Sequence, residues 1–324
     1  MNKKLIFGMV LIGMFLIPAG VQMTTAQDGL IKYSEIGDLI TVRTEYINVK
    51  IVPDQGHLMW WSGRNNTDEM YKLQLVKIQE FGGDDEVLDD RFEFIGMPVN
   101  LITGDWNYVI EEQEDQLTLT LSIIGLPNGA DMHLVMKIFT KNVQVEDTEY
   151  FVKALAEMKI DIIVDNWDFS ENAKGYAIQT YLTETRTRNR VRVRNGTVAE
   201  NGPNLRTMQF ATEAADNPIA FYAWTETAKI YNAEDAYVDT VDVGTAFFDD
   251  LASPPEDASG DQEGLAHLFL TYPNYGDSLK MIHDPIIGVT DQPPASLWLT
   301  VGLPIGTGLL LVGVIVAIVI VKRK

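Results

Sequence analysis

The sequence predicts an all-β protein, a large antiparallel β-sandwich ectodomain of one large or two smaller units, carried by one C-terminal transmembrane helix. Apolar and polar residues alternate through much of residues 27–290, which is the pattern of half-buried strands. Turn signals separate these runs at short intervals, as in sandwiches. Residues 297–321 form one uncharged apolar stretch.

The clearest alternation lies in the runs Leu117–Ile123 and Met132–Ile138, on either side of Leu126-Pro-Asn-Gly129. These runs predict a hairpin, because proline, asparagine and glycine favour turns. Alternation from Val152 to Val164 predicts one long central strand, although its first half also contains good helix formers. A seam near residues 141–148 would divide the chain into two sandwiches.

Residues 1–26 have the features of a secretory signal peptide. Two lysines, Lys3 and Lys4, precede an apolar stretch, and Thr24-Thr-Ala26 offers small residues for cleavage before Gln27. The alternative is an uncleaved membrane helix, for which the apolar stretch is short.

The C-terminal segment predicts a membrane anchor. The 25 residues from 297 to 321 carry no charge, and at about 1.5 Å per residue they suffice to cross a bilayer core of about 30 Å. The basic tail 322–324 favours the cytoplasmic side. We therefore expect a single-pass type I protein of the cell membrane, with residues 27–290 outside and residues 291–296 as a short stalk.

Charge and cysteine content exclude several classes of function. All 46 acidic residues lie between residues 27 and 292, and five of the 25 basic ones lie outside it, so this part has a formal charge of −26. Such a surface repels nucleic acid. The absence of cysteine excludes disulfides, thiol catalysis and cysteine-bound zinc. Asn65 and Asn195 begin N-glycosylation motifs, which we expect to matter in an exported chain.

The most unusual pattern is an arginine run, in which arginine occupies every second position and which ends at the turn-like pair Asn195-Gly196. On a strand, alternate residues share one face, and arginine pairs bidentately with carboxylate, sulfate or phosphate. The run therefore predicts a ligand-binding strip. The structural alternative is a facing row of acidic residues or an edge strand in solvent. The run consists of Arg186, Arg188, Arg190, Arg192 and Arg194.

Two patterns could bind metal. Asp257, Ser259, Asp261 and Glu263 alternate in an acidic loop and offer oxygen ligands for calcium. The loop lacks the glycine and the final acid of an EF-hand, so a solvated loop is the alternative. Asp84–Asp90 is a similar acidic segment. Three of the four histidines lie near methionines, a Cu(I) ligand set, for which the alternative is chance proximity of core methionines.

Catalytic motifs are weak. The sequence has no Gly-x-Ser-x-Gly elbow, His-Glu-x-x-His helix or phosphate loop. Paired carboxylates flanked by tryptophan would indicate glycoside hydrolysis. Trp60, Trp61, Trp167 and Trp224 could line a sugar-binding surface, or they could belong to the core.

Three stretches, Lys159–Phe169, Phe221–Thr227 and Leu270–Val289, resemble uncharacterised archaeal cell-surface proteins with a signal peptide, an acidic β-rich ectodomain and a C-terminal anchor. The resemblance implies a surface location and transfers no catalytic residue. Within it, His283-Asp284-Pro285 would either shape a site or simply close a strand.

Together these patterns favour a membrane-anchored surface protein that binds an acidic glycan, a surface-layer or other envelope component, or another ectodomain. The first alternative is an extracellular carbohydrate-active or other hydrolytic enzyme, and the second is a cation- or copper-binding surface protein. Calcium is the one cofactor that the sequence suggests.

Overall fold

The computed structural model describes residues 29–64, 70–146, 148–184, 194–197, 205–210, 220–246 and 265–290. These residues form an all-β protein with antiparallel sheets, as predicted, and contain two short 3-10 turns but no α-helix. The expected signal peptide, stalk, membrane helix and basic tail lie outside the described residues. Within the described part, no helix is long and apolar enough to cross a membrane.

The strands follow the alternation of the sequence closely in the first half of the chain and at His267–Thr271. In chain order they are β1 Lys32–Ile36, β2 Leu39–Arg43, β3 Ile47–Val52, β4 His57–Ser62, β5 Tyr71–Phe81, β6 Val99–Asn100, β7 Asn107–Glu112, β8 Gln116–Ile123, β9 Asp131–Phe139, β10 Val143–Gln144, β11 Phe151–Val152, β12 Glu157–Asp165, β13 Gly175–Glu184, β14 Arg194–Thr197, β15 Leu205–Phe210, β16 Ala220–Thr225, β17 Thr227–Tyr231, β18 Tyr237–Asp242, β19 Gly244–Ala246, β20 Leu265–Pro273, β21 Lys280–His283 and β22 Ile286–Val289.

Two large sheets contain almost all of these strands. Sheet A has the order β1-β2-β3-β4-β5-β13-β20-β19, with β6 added to β5. In sheet B, β12 is central: β9, β8 and β7 extend from one of its edges, while both β21 and β22 pair with the other. From there one branch continues through β16, β15 and β14, and the other through β17 and β18. The strands β10 and β11 form a separate small hairpin.

One apolar core lies between the two sheets, which gives a sandwich-like arrangement. Alternate residues of sheet A, such as Val49 and Leu75, belong to the same buried cluster as Leu119 and Ile160 of sheet B. Strands from before and after residues 141–148 enter both sheets, and β10 itself lies within that segment.

The predicted hairpin between β8 and β9 is confirmed. The two strands pair from Gln116 with Phe139 to Ile123 with Met132. The turn is closed by the amide of Gly129, which donates to the carbonyl of Leu126 at 2.7 Å. Gly129 has a φ of 86°, a conformation that glycine adopts easily.

The long strand predicted from Val152 to Val164 is wrong, because the chain turns at residues 153–156. Leu155 has a φ of 60°, and the amide of Glu157 donates to the carbonyl of Lys153 at 3.1 Å. Tyr46 packs on the residues of this turn, and the hydroxyl of Thr44 donates to the carbonyl of Leu155 at 2.5 Å. The turn lets the small hairpin fold over the outer face of sheet B before β12 enters the sheet.

The predicted turn at Asn195-Gly196 is also wrong. Both residues lie inside β14 and pair with Met208 and Thr207 of β15. A neighbouring strand thus fixes an extended backbone, despite the local turn preference of this pair.

We expect Gly175→Ala to destabilise the fold by about 3 kcal/mol or more, because sheet A has no room for a methyl group there. A Cβ atom at Gly175 would lie 2.1 Å from the carbonyl oxygen of Tyr272. In the control Gly125→Ala, the added atom meets open space at a φ of 70°, which costs only about 1 kcal/mol. Urea unfolding of both variants measures the difference, and equal losses would contradict the steric argument.

Candidate functional site

A group of buried polar side chains lies in sheet B around the short connection between β21 and β22. β21 ends at His283, β22 begins at Ile286, and both pair with β12. Pro285 has no backbone N–H to donate, but its carbonyl still accepts from the amide of Ile160 at 2.7 Å. Because side chains alternate along a strand, His283 lies on the core side with Ile162, and Asp284 lies on the outer side and reaches Lys159.

His283 forms a bridge between the sheets. It is 0% exposed, and its Nε2 lies 2.9 Å from the carbonyl oxygen of Thr225, which can only accept. Nε2 therefore carries the proton, and Nδ1 accepts from the hydroxyl of Tyr272 of sheet A at 2.8 Å. Burial lowers the pKa of His283 to about 4, so the ring is neutral at pH 7.

On the outer side of this connection, four charged groups form a balanced network. Lys159 contacts Asp161, and its Nζ lies 2.9 Å from Asp284 Oδ1. Lys137 Nζ lies 2.7 Å from the other oxygen of Asp161. Burial opposes the charge on Lys159, but the carboxylates of Asp284 and Asp161 outweigh it and raise its pKa. Burial likewise opposes the charge on Asp161, yet the two lysines lower its pKa.

A buried glutamate lies on the same side of β12 as this network, beneath the small hairpin, and has its own partners. Glu157 is 0% exposed, and its Oε2 accepts from the hydroxyl of Tyr150 at 2.6 Å and from the amide of Lys153 at 2.9 Å. The ammonium of Lys153 lies 3.6 Å from Oε1. Burial raises the pKa of Glu157, against the opposing effect of Lys153 and these hydrogen bonds.

The three stretches 159–169, 221–227 and 270–289, which the sequence analysis singled out, meet around the connection between β21 and β22. The first contains most of β12, the second contains most of β16, and the third runs from within β20 to the end of β22. β22 pairs with both β12 and β16, and Tyr272 of β20 donates to His283 of β21. Segments far apart in sequence therefore build one contact region.

The charged and polar groups of this region contact one another and the backbone. Each carboxylate has a cation or a hydrogen-bond donor beside it, and both nitrogens of His283 are engaged. A general base or a nucleophile must be able to reach a substrate. The arrangement instead joins β12 to its neighbours and sheet A to sheet B.

The arginine run lies almost wholly outside the described residues. Arg194 is the first residue of β14, the strand at the end of one branch of sheet B, and pairs with Gln209. Arg186, Arg188, Arg190 and Arg192 lie between the end of β13 and the start of β14, in a part that the structure does not describe.

Of the other predicted positions, the calcium loop from Asp257 to Glu263 and the glycosylation motif at Asn65 lie outside the described residues. Asn195 lies within β14. In the segment Asp84–Asp90, Asp85 and Asp90 accept backbone amides of their own loop. Among the described residues, no group of three or more acidic or histidine side chains could hold a metal ion.

The histidine and methionine pairs do not form a shared copper site at His283, because both its nitrogens bond to the protein. As expected from the alternation, Met132 is buried and His133 points the opposite way, where Nδ1 lies 2.8 Å from the hydroxyl of Ser122. His57 is 8% exposed, and burial followed by the charge of Lys72 lowers its pKa to about 4.

The four tryptophans considered for sugar binding are buried: Trp60, Trp167 and Trp224 in the core, and Trp61 on the outer side of sheet A, where Lys50 lies over its ring. Trp60, Trp61, Trp167 and Trp224 are 0%, 5%, 3% and 2% exposed. Trp60 Nε1 donates to the carbonyl of Gly288 at 3.2 Å and thus connects the two sheets. A cleft beside Gly29 and Gln116 holds about 60 Å³, whereas small-molecule sites hold about 300 Å³ or more.

No protein-family model matches this chain, and no curated protein is similar to it.

Sequence reasoning identified His283-Asp284-Pro285 but missed the partners of these residues. Lys159 and Asp161 occupy alternate positions of β12, and this short opposite-charge pair was the available signal. Tyr272, Thr225 and Tyr150 gave no signal, because their roles depend on contacts between distant strands.

We expect the stability of the protein to fall in mild acid through His283. The pKa in the folded state is about 4, below the ordinary value of 6.5, so the unfolded state binds the extra proton between these values. The stability from this group is complete above pH 6.5 and decreases as the pH falls toward 4, by up to about 3 kcal/mol. Urea unfolding at pH 7 and pH 4 should show that His283→Gln removes this part of the pH dependence. An unchanged pH dependence in the variant would contradict this assignment.

We expect Lys159→Met to lower the free energy of unfolding by about 3–5 kcal/mol, because it leaves Asp284 buried without its cation. The matched control is Lys141→Met, which removes a surface pair with Asp115 in which both side chains are well exposed. That change should leave stability nearly unaltered. Thermal melting of both variants tests the difference, and similar melting temperatures would show that the buried network contributes little.

Proposed function

We propose that this chain is a single-pass, membrane-anchored surface protein whose β-sandwich ectodomain is a binding module. Its partner would be an acidic glycan, an envelope component or another ectodomain. The apolar stretch 297–321 with its basic tail supports the anchor, and the signal-like residues 1–26 support export. The resemblance to archaeal surface proteins supports the same location.

The observation that carries the binding proposal is the place of the arginine run in the chain. The run begins just after β13, a central strand of sheet A, and ends in β14, which among the described residues is an edge strand of sheet B. An edge strand has a row of unpaired backbone groups and is open to partners. Guanidinium groups leading into such an edge suit carboxylate, sulfate or phosphate groups.

The burial of the candidate tryptophans and the internal partners of the candidate carboxylates favour a binding role over the enzyme alternative. The enzyme would use tryptophans beside a cleft, but the four candidates are buried between or against the sheets. The carboxylates of the polar region form ion pairs with lysines and accept hydrogen bonds from backbone amides. These side chains stabilise a rigid scaffold, on which a binding surface can be displayed.

The test is to change Arg188, Arg190 and Arg192 together to glutamine. We expect the full chain in detergent to lose its salt-sensitive retention on a column of dextran sulfate, at an unchanged melting temperature. Each guanidinium that contacts an anion contributes to the salt dependence of binding. The control Arg91→Gln changes an exposed arginine elsewhere and should leave retention intact. A lower melting temperature with unchanged retention would show that the arginines pair internally.

A further inference from the structure

The outer face of sheet A is basic, although the chain has a net charge of −21. Because side chains alternate along a strand, the cross-strand register identifies the outward residues: those between the buried positions of β1 to β5. Five basic residues lie on this side, which we call the basic face: Lys32, Arg43, Lys50, Lys72 and Lys77.

No carboxylate balances these charges among the described side chains of the sheet. Glu35 lies on the opposite side and accepts from the hydroxyl of Tyr108 at 3.1 Å. Glu80 accepts from Trp167 Nε1 at 3.1 Å and from Ser170. The segment 82–96, which contains six acidic residues, lies at the far end of the face. There Phe94 and Leu88 pack on the sheet, and the ring of Phe94 lies 4.9 Å from Lys77 Nζ.

The lysines of sheet B, in contrast, are paired with carboxylates. Lys137, Lys159, Lys229 and Lys280 each form an ion pair with an aspartate or a glutamate. Among the ion pairs of the described residues, none includes a member of the basic face. Although the chain is acidic, the basic residues that form no ion pair among the described residues thus lie mainly on this one face.

The basic face also contains an unfavourable arrangement. The register places Lys32 directly opposite Arg43, and like charges opposite one another destabilise a sheet. Lys72 is half-buried, and burial lowers its pKa. An external anion would reduce the repulsion between Lys32 and Arg43 and would stabilise the charged form of Lys72.

A complementary surface exists elsewhere on the same chain. The edge strand β7 exposes Glu111 and Glu112 together with Tyr108 and Val109, which are 39% and 59% exposed. None of the described ion pairs includes either glutamate. This acidic and apolar edge matches the basic face, where Val52 and Met59 are partly exposed between the lysines.

We propose that the basic face of one copy binds the β7 edge of a second copy. Among the described residues β7 lies at the edge of sheet B, beside the start of β1 of the same chain. Lys50 and Lys72 lie on β3 and β5 and face away from the core, so β7 would reach them from a second copy. The contact joins two different surfaces, and such head-to-tail interfaces build rings or open rows rather than closed two-fold dimers. The inference goes beyond the proposed function and does not depend on the arginine run.

The test uses full chains in detergent, half of them labelled with heavy nitrogen, and a carbodiimide that joins amines directly to carboxylates. We expect cross-linked peptides of mixed isotope that join Lys72 to Glu112, and a decrease in their yield as the salt rises from about 50 mM to about 500 mM. Lys50→Glu should reduce this yield about tenfold, because it places a like charge in the interface. The control Lys174→Glu changes a lysine outside the strands of the face and should not.

Mixing Lys50→Glu chains with Glu111→Lys chains should restore the cross-link, because the exchanged charges attract again. Failure of the wild-type chain to give mixed-isotope peptides at low salt would overturn the proposal, whatever the variants do. If the wild-type chain gives none but binds soluble dextran sulfate in a way that Lys50→Glu abolishes, the occupant of the basic face is an acidic polymer and not a second copy.

Discussion

The hydrogen bond from Tyr272 of sheet A to His283 of sheet B holds the two sheets together where sheet B divides into its branches. The chain has no cysteine, so no disulfide can fix the distance between the sheets. Trp60 and Thr44 make similar bonds, to the carbonyls of Gly288 and Leu155. A buried hydrogen bond specifies geometry strongly, because either partner left alone in the core is costly.

The chain segment that forms this bridge also contributes to the outer side of sheet B. Its register against β12 is the same before and after Asp284-Pro285, and successive side chains of a strand lie on alternate faces. Asp284 therefore lies on the face opposite to His283 and reaches Lys159, whose other partner Asp161 also contacts Lys137. The contact between the sheets and the surface network thus come from adjacent residues of one segment.

The sequence predicted the all-β class and the β8–β9 hairpin, because these depend on local alternation and turn residues. The alternation from Val152 to Val164 wrongly predicted one long strand, because Ala154 and Leu155 are buried by Tyr46 in a turn and not in a strand. The turn predicted at Asn195-Gly196 was wrong because pairing with β15 outweighed the local turn preference of these residues. The site was only partly predictable: His283 was visible in the sequence, but its partners come from strands 11 and 58 residues away.

Alternation also explains how an acidic chain acquires one basic face. A strand assigns every second residue to the same side, so a few lysines in β3 and β5 suffice to give sheet A a charge opposite to that of the whole chain. On sheet B the same rule placed Lys159 and Asp161 together, and those charges cancel. The two sheets share one core and one set of packing constraints, yet their outer faces differ in electrostatic character. That asymmetry makes one outer face a network of ion pairs, whereas the basic side chains of the other face form no ion pair among the described residues.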